Sequence, residues 1–486
     1  MPGGTTILWL RADLRLDDNA ALVAAASRQG TLLPLFIHSP TEEESWMPGG
    51  ASRWWLDRSL RALDASLRGR GSRLVVRHGA SLDVLRDVAR EAGAGAVFWN
   101  RRYEPASIAR DRIVKQALRQ DGLVAESFNS ALLFEPWENV KNDGTPYRVF
   151  TPFWKSMLKR GNVPSPLVTP APIAAPSRWP RSESIDDVAL RPRPDWAAGL
   201  REAWTPGENG AHAELARFLR DGIENYETGR NLPSQVGTSR LSPHLHFGEI
   251  GPRSIWKAVH DLAADRGSAA FDAAAESWLR QLAWREFAHH LLFHFPHTAE
   301  KPLRPEFARF EWADDETLLS HWQRGLTGYP IVDAGMRELW ATGWMHNRVR
   351  MIVASFLVKD LRVAWQEGAR WFWDTLVDAD LANNTMGWQW TAGCGADAAP
   401  YFRVFNPMLQ AERFDPERAY LRRWLPELAR LPDQWIHRPW EAPATVLATA
   451  GVELGRSYPH PIVDFRASRE AALASYGSIK GPVAQR

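Results

Sequence analysis

The chain has 486 residues, 45% hydrophobic and 24% charged, a balance that excludes wholesale disorder and fibrous repeats and points to two or three compact units with sizeable cores. Lys and Arg number 59 against 57 Asp and Glu, a formal charge of +2, so a polyanionic partner has to be met by a local cluster of cations rather than a global field. A lone Cys394 rules out an intrachain disulfide, a cysteine-rich zinc site and a four-cysteine iron–sulfur cluster, while 25 tryptophans, more than packing alone requires, invite base stacking or electron transfer.

The first ten residues lack both a basic n-region and a long apolar core, and no apolar run approaches the roughly 18 residues of a membrane span. The sequence reads as a cytoplasmic protein with no membrane partner and no metal, working as a monomer. From residue 6 to about 130, short apolar runs at 7–10, 32–37, 74–76, 96–99 and 123–127 alternate with helical patterns such as 52–67 and 82–92. This is the rhythm of an α/β domain, a doubly wound, Rossmann-like parallel sheet. No G-x-G-x-x-G follows the first strand, so nothing argues for NAD. Residues 131–210 lose periodicity and collect prolines, which predicts a long connector running over the surface and touching both domains. Residues 211–476 read as an all-α domain with breaks at Pro243, Pro302, Pro330, Pro407 and Pro416, followed by a short tail, 477–486.

Three segments carry chemistry. Gly237-Thr-Ser-Arg-Leu-Ser-Pro243 sets hydroxyls and free N–H groups ahead of a helix whose first turn suits Pro243, a ready phosphate site; ordinary capping by Ser242 is the alternative. A helix over 276–295 puts Trp278, Gln281, Trp284 and Arg285 on one face, able to stack a base and bond its edge, or simply to pack a core. A second helix over 344–359 gathers Asn347, Arg348 and Met351, with Arg350 near Asn347, and a solvated basic stripe is the alternative there.

The densest stretch, Asp378-Ala-Asp-Leu-Ala-Asn-Asn-Thr-Met-Gly-Trp-Gln-Trp390 and its continuation to Asn406-Pro407, resembles the flavin-binding heart of the photolyase/cryptochrome family. The opening Trp9-Leu-Arg-Ala-Asp-Leu-Arg-Leu-Asp-Asp-Asn19, with Trp284-Arg-Glu-Phe287 and Thr342-Gly-Trp-Met-His-Asn-Arg348, extends the resemblance over nearly the whole chain. It implies an α-domain that binds FAD. By motif position Tyr226, Thr238, Ser239, Arg240, Leu241 and Ser242 hold the diphosphate and ribitol region. Trp278 and Arg285 line the pocket with Asn347, and Asp378, paired with Arg350, and Asp380 lie near the rings. Asn384 faces flavin N5, where plant cryptochromes carry Asp.

The resemblance further implies repair of cyclobutane pyrimidine dimers flipped out of DNA, with Arg230, Gln281, Trp284, Asn347, Arg348, Met351, Trp390 and Gln410 at the lesion pocket and DNA rim. Trp388, Trp365 and Trp312 fall at the three electron-hopping positions. Gln281 stands where the cyclobutane enzymes carry Glu, which keeps a (6-4) photolyase open as an alternative beside a cryptochrome photoreceptor. Ala106 and Ser107 replace the Asn-Glu pair that holds folate in one branch, so a second, antenna chromophore is expected without a choice between methenyltetrahydrofolate and deazaflavin.

Overall fold

The computed structural model describes residues 3–188, 190–398 and 403–479. Residues 399–402 of the flavin-type motif and 480–486 of the tail lie outside the described residues. Two compact units emerge: Met1–Glu224, Ser239–Pro296 and Val377–Leu381 form the first, and Asn225–Thr238, His297–Leu376 and Ala382–Arg486 the second.

In the first unit the apolar runs become five parallel strands, β1 (Thr5–Leu10), β2 (Leu32–His38), β3 (Val75–His78), β4 (Ala94–Asn100) and β5 (Val124–Phe128), in the order β3-β2-β1-β4-β5. Strands covered on both faces can afford near-continuous apolar sequence, which is why these runs do not alternate. Crossovers pass through α1 (Ala20–Ala26), α2 (Gly50–Arg68), α3 (Ser81–Ala92) and α4 (Pro105–Gln120). Trp9 sits opposite Leu35 on one side and Trp99 on the other, its ring edge-to-face with Trp99 at 5.8 Å, in a core completed by Leu85, Val88, Val114 and Leu118.

The connector belongs to this unit and is more ordered than its prolines suggest. It contains a helix, α5 (Phe150–Arg160), that buries Phe150, Phe153, Trp154 and Met157. The i, i+3, i+4, i+7 spacing was present in the sequence, masked by aperiodic flanks. Further on, the β3 edge is sealed: the Val76 N–H donates to Ser182 Oγ and its carbonyl accepts the Glu183 N–H. Covering an edge in this way removes a template for strand addition.

At the connector's start, the Leu133 and Phe134 N–H groups donate to the two carboxylate oxygens of Glu286, at 3.0 and 3.2 Å. Burial pushes the Glu286 carboxyl up to about 7, against the opposing pull of Arg285 and these two N–H groups. The unfolded chain titrates this group near 4.5, so the folded chain binds more protons between the two values and the group's contribution to stability falls as pH rises from 4.5 to 7. Urea unfolding across that range should show a slope worth about 3 kcal/mol at most for wild type and none from this site in Glu286→Gln. The variant should also be less stable overall, because its amide turns N–H toward N–H. An unchanged slope would show that Glu286 is ionised throughout.

The second unit is helical. Pro330 and Pro407 open helices Pro330–Thr342 and Pro407–Phe414 rather than interrupting any, since proline lacks only an N–H that the first turn leaves unused. The helix expected over 344–359 is shorter: it runs Asn347–Ser355, begins after the left-handed Gly343 (φ 67°), and widens into a π turn, Phe356–Asp360. His346 caps it, Nδ1 accepting the Arg348 N–H at 3.2 Å.

Candidate functional site: a cationic rim, aromatic walls and a buried tryptophan

In the first unit, the helix Ala269–His294 carries Trp278, Gln281, Trp284 and Arg285. Trp278 is buried and packs on Phe218 at 5.1 Å. Trp284 lies flat on Phe150 of α5, ring centroids 3.7 Å apart and 7° from parallel, which stiffens the indole as a stacking surface and leaves one face already covered. Phe150 was not singled out in the sequence because it falls in the connector. Gln281 makes a long bond, Nε2 to the Ser277 carbonyl at 3.4 Å, and Arg285 donates to the Ala131 carbonyl at 2.6 Å.

Ser242 does not cap the short helix it begins, and the hydroxyl-rich segment before it turns through a left-handed Arg240 (φ 53°) whose guanidinium rests on Trp204 at 4.1 Å. The alternative reading of Ser242 as an ordinary cap is therefore wrong. Asp380 is flanked by His289 at 3.5 Å and His246 at 3.9 Å. Burial alone would raise this carboxyl, yet His289, His246 and Arg285 bring it well below the usual range, and burial of His289 is in turn outweighed by Asp380, which raises the imidazole. Asp378 is buried beside it in sequence.

At the C-terminal ends of β1 and β4, where strand order reverses, a small cleft is lined by Arg15, Arg101, Arg102, Tyr103, Glu104 and His289, among others. Such switch points are where open α/β sheets take ligands. Its guanidiniums are matched by carboxylates: Arg101 pairs with Glu135 at 2.6 Å and Arg102 with Glu43 at 2.7 Å. Ser107, on α4 just beyond it, is fully buried.

In the second unit, one face of the Asn347–Ser355 helix gathers Asn347, Arg348 and Met351, both polar groups within 4.0 Å of the Met351 sulfur. Arg348 donates to Asn231 Oδ1 at 2.5 Å and lies over Phe414 at 4.3 Å. Its guanidinium is lowered by burial and then by Arg230, Arg413 and Arg403, so four cations share this surface. Arg403 and Arg413 were not singled out in the sequence, since neither sits in a basic run. Arg230 stacks on Tyr226 at 5.2 Å, Arg350 donates to the Met345 carbonyl at 2.7 Å, and Gln410 is half-buried on the Pro407–Phe414 helix.

The helix Leu381–Ala392 brings Asn384, Trp388 and Trp390. The Asn384 amide donates to the Ala369 carbonyl at 3.0 Å, which fixes its orientation. Trp388 is buried against Phe372 at 5.0 Å and Trp322 at 6.1 Å, and its indole N–H has no partner among the described residues. Trp390 is half-buried; Trp365 is buried at the start of the helix Trp365–Thr375, and Trp312 is partly exposed beside Phe310 at 4.3 Å.

Residues 278–478 match the FAD binding domain of DNA photolyase and residues 6–175 match the DNA photolyase family. A deoxyribodipyrimidine photo-lyase of Agrobacterium fabrum is 49% identical over 98% of each chain. The chain belongs to the photolyase/cryptochrome family. A crystal structure of a class III photolyase from Agrobacterium tumefaciens superposes with a TM-score of 0.94 at 48% identity, covering 99% of this chain and 98% of that one. Cryptochrome-1 of Arabidopsis thaliana is 42% identical over 95% of this chain and 68% of its own length.

This photolyase fold is suited to its flavin by features in the chain itself. The Gly229 and Gly237 backbones approach so closely that a Cβ on Gly237 would lie about 2.5 Å from the Gly229 carbonyl, a crossing that orders the turn between Tyr226 and Thr238. An ordered turn carrying Tyr226 and Thr238 fits a polar cofactor such as the flavin of this family. Among the described residues no helix is long and apolar enough to cross a membrane.

Proposed function

We propose that this photolyase repairs cyclobutane pyrimidine dimers in DNA. The observation that carries the reading is the Asn347–Arg348–Met351 face within a surface of four arginines: phosphates are met by guanidiniums, and an amide beside an apolar thioether suits the fused bases better than a charged wall would. Trp284, backed by Phe150, and Trp390 offer π faces to the two bases, with Gln281 and Gln410 at their edges. Arg230 and Arg348 hold the backbone of the extruded nucleotide.

FAD, held by Tyr226, 238–242, Trp278, Arg285, Arg350, Asp378 and Asp380, supplies light-driven one-electron donation when bound. The protein's share is positioning and electrostatics: Asn384, fixed by the Ala369 carbonyl, presents a neutral amide. Trp388, Trp365 and Trp312 carry electrons inward from the surface. The switch-point cleft is the place for a second, antenna chromophore. Its balanced charges favour a polar ring system over a bare anion.

Irradiating dimer-containing DNA with the chemically reduced protein tests the reading directly. Loss of dimers is expected, with (6-4) products left intact; a flavin spectrum without dimer loss would instead support a photoreceptor. Gln281→Glu should repair dimers as well as wild type or better. A neutral amide bond is worth about 0.5–1.5 kcal/mol against roughly 1.5–3 for a charge-assisted one, so wild type lags by on the order of tenfold. Efficient (6-4) repair with dimers untouched would overturn the substrate and leave the flavin standing.

A further inference from the structure

The π turn Phe356–Asp360, buried throughout, extends the helix that carries Asn347 and Arg348. Single π turns inside helices recur at functional positions. This one holds Lys359, 5% exposed, whose ammonium donates to the Arg403 carbonyl and lies 6.0 Å from the Phe405 ring. Two residues on, the Phe405 N–H donates to Ser355 Oγ at 3.4 Å, and the Phe405 ring is buried. The strip 403–405 is thus fastened at a carbonyl and at an amide to the end of one helix. Beyond it, Asn406 caps the helix Pro407–Phe414, accepting the Leu409 N–H at 3.1 Å, and that helix bears Gln410 and Arg413.

We propose that Lys359 is a positioning residue for DNA, fixing the backbone of 403–406 so that Arg403, Gln410 and Arg413 address the same strand as Arg230 and Arg348. This rests on the dimer-repair reading, because it assumes the arginine surface meets DNA. Lys359 touches no substrate and acts through the Arg403 carbonyl.

The electrostatics supply a readout that packing alone would not. Burial lowers the Lys359 ammonium to about 8, with Asp360 raising it and Arg403 lowering it further. Asp360 is itself buried, with no hydrogen-bond partner for either oxygen among the described residues, and burial holds its carboxyl well above the usual range. Tyr329, whose hydroxyl is raised by burial and by Asp360 and Asp464, titrates higher still. The Lys359 ammonium therefore changes charge just above neutrality. Below pH 8 the Arg403 carbonyl receives a charge-assisted bond, and above it a neutral one.

The test is the affinity of the flavin-loaded protein for a dimer-containing duplex in the dark, at fixed salt, from pH 7 to about 9.5. Wild type should weaken by roughly fivefold, the difference between the two kinds of bond, whereas Lys359→Arg, charged throughout, should stay flat. Lys359→Met, which orphans the carbonyl, should bind weakly at every pH. Parallel pH profiles for wild type and Lys359→Arg would overturn the positioning role while dimer binding itself stands. A wild type that does not prefer dimer-containing DNA at pH 7 would instead remove the reading beneath it.

Discussion

Trp388→Phe is expected to stop light-driven reduction of the oxidised protein while leaving dimer repair by chemically reduced protein within about twofold of wild type, since the lesion-facing residues are spared. The structure makes the substitution unusually clean. Trp388 is 2% exposed, edge-on to Phe372 and Trp322, and its indole N–H has no acceptor among the described residues. A phenyl ring therefore strands no hydrogen-bonding group. What is lost is one fused ring of packing, on the order of 1–2 kcal/mol, and a side chain that is easily oxidised.

Gly368 serves as an independent check, because a Cβ there would enter the six-membered ring of Trp388. Gly368→Ala should displace the indole and slow photoreduction without changing its chemistry. Photoreduction of Trp388→Phe at the wild-type rate, read from the fading of the oxidised flavin absorption, would mean that the electron arrives by another route.

The parallel sheet was legible because strands buried on both faces leave almost unbroken apolar runs: 32–37 in the sequence became Leu32–His38 in the fold. The Asn347, Arg348 and Met351 face was legible from spacing alone. The start of that helix was not, since its cap is a histidine rather than Ser, Thr, Asp or Asn, and the aromatic and apolar residues before it continue a helical pattern through a left-handed glycine. Lys359 in the sequence is no more than the end of the expected helix; its burial in a π turn against the Arg403 carbonyl is visible only in the fold. Gly368 and Trp388 lie 20 positions apart, and Phe150 and Trp284 far more, so no local pattern pairs them. Contacts of that kind are set by helix docking, which periodicity predicts only as an apolar face.

Gly237→Ala is expected to yield protein that purifies largely without flavin. The segment from Tyr226 to Thr238 doubles back on itself, and the two glycines are where its arms cross. A Cβ on Gly237 would lie 2.5 Å from both the carbonyl carbon and oxygen of Gly229, whereas one on Gly229 would approach no closer than 3.1 Å to Gly237 Cα. Backbone cannot swing aside as a side-chain tip does, so the arms must part. Tyr226 and Arg230 are on one arm and Thr238 on the other; Asn231, which holds Arg348 at 2.5 Å, is carried along. Overpacking of this kind costs about 1–3 kcal/mol. If that cost falls on the bound state, FAD is held roughly 5- to 150-fold more weakly, and the arginine surface loses its register as well. The comparison with Gly229→Ala separates the local crossing from a general intolerance of alanine in the turn, because that variant should keep most of its flavin. Equal flavin per chain in wild type and Gly237→Ala would show that the turn adjusts and that Tyr226 and Thr238 do not need their present spacing to bind the cofactor.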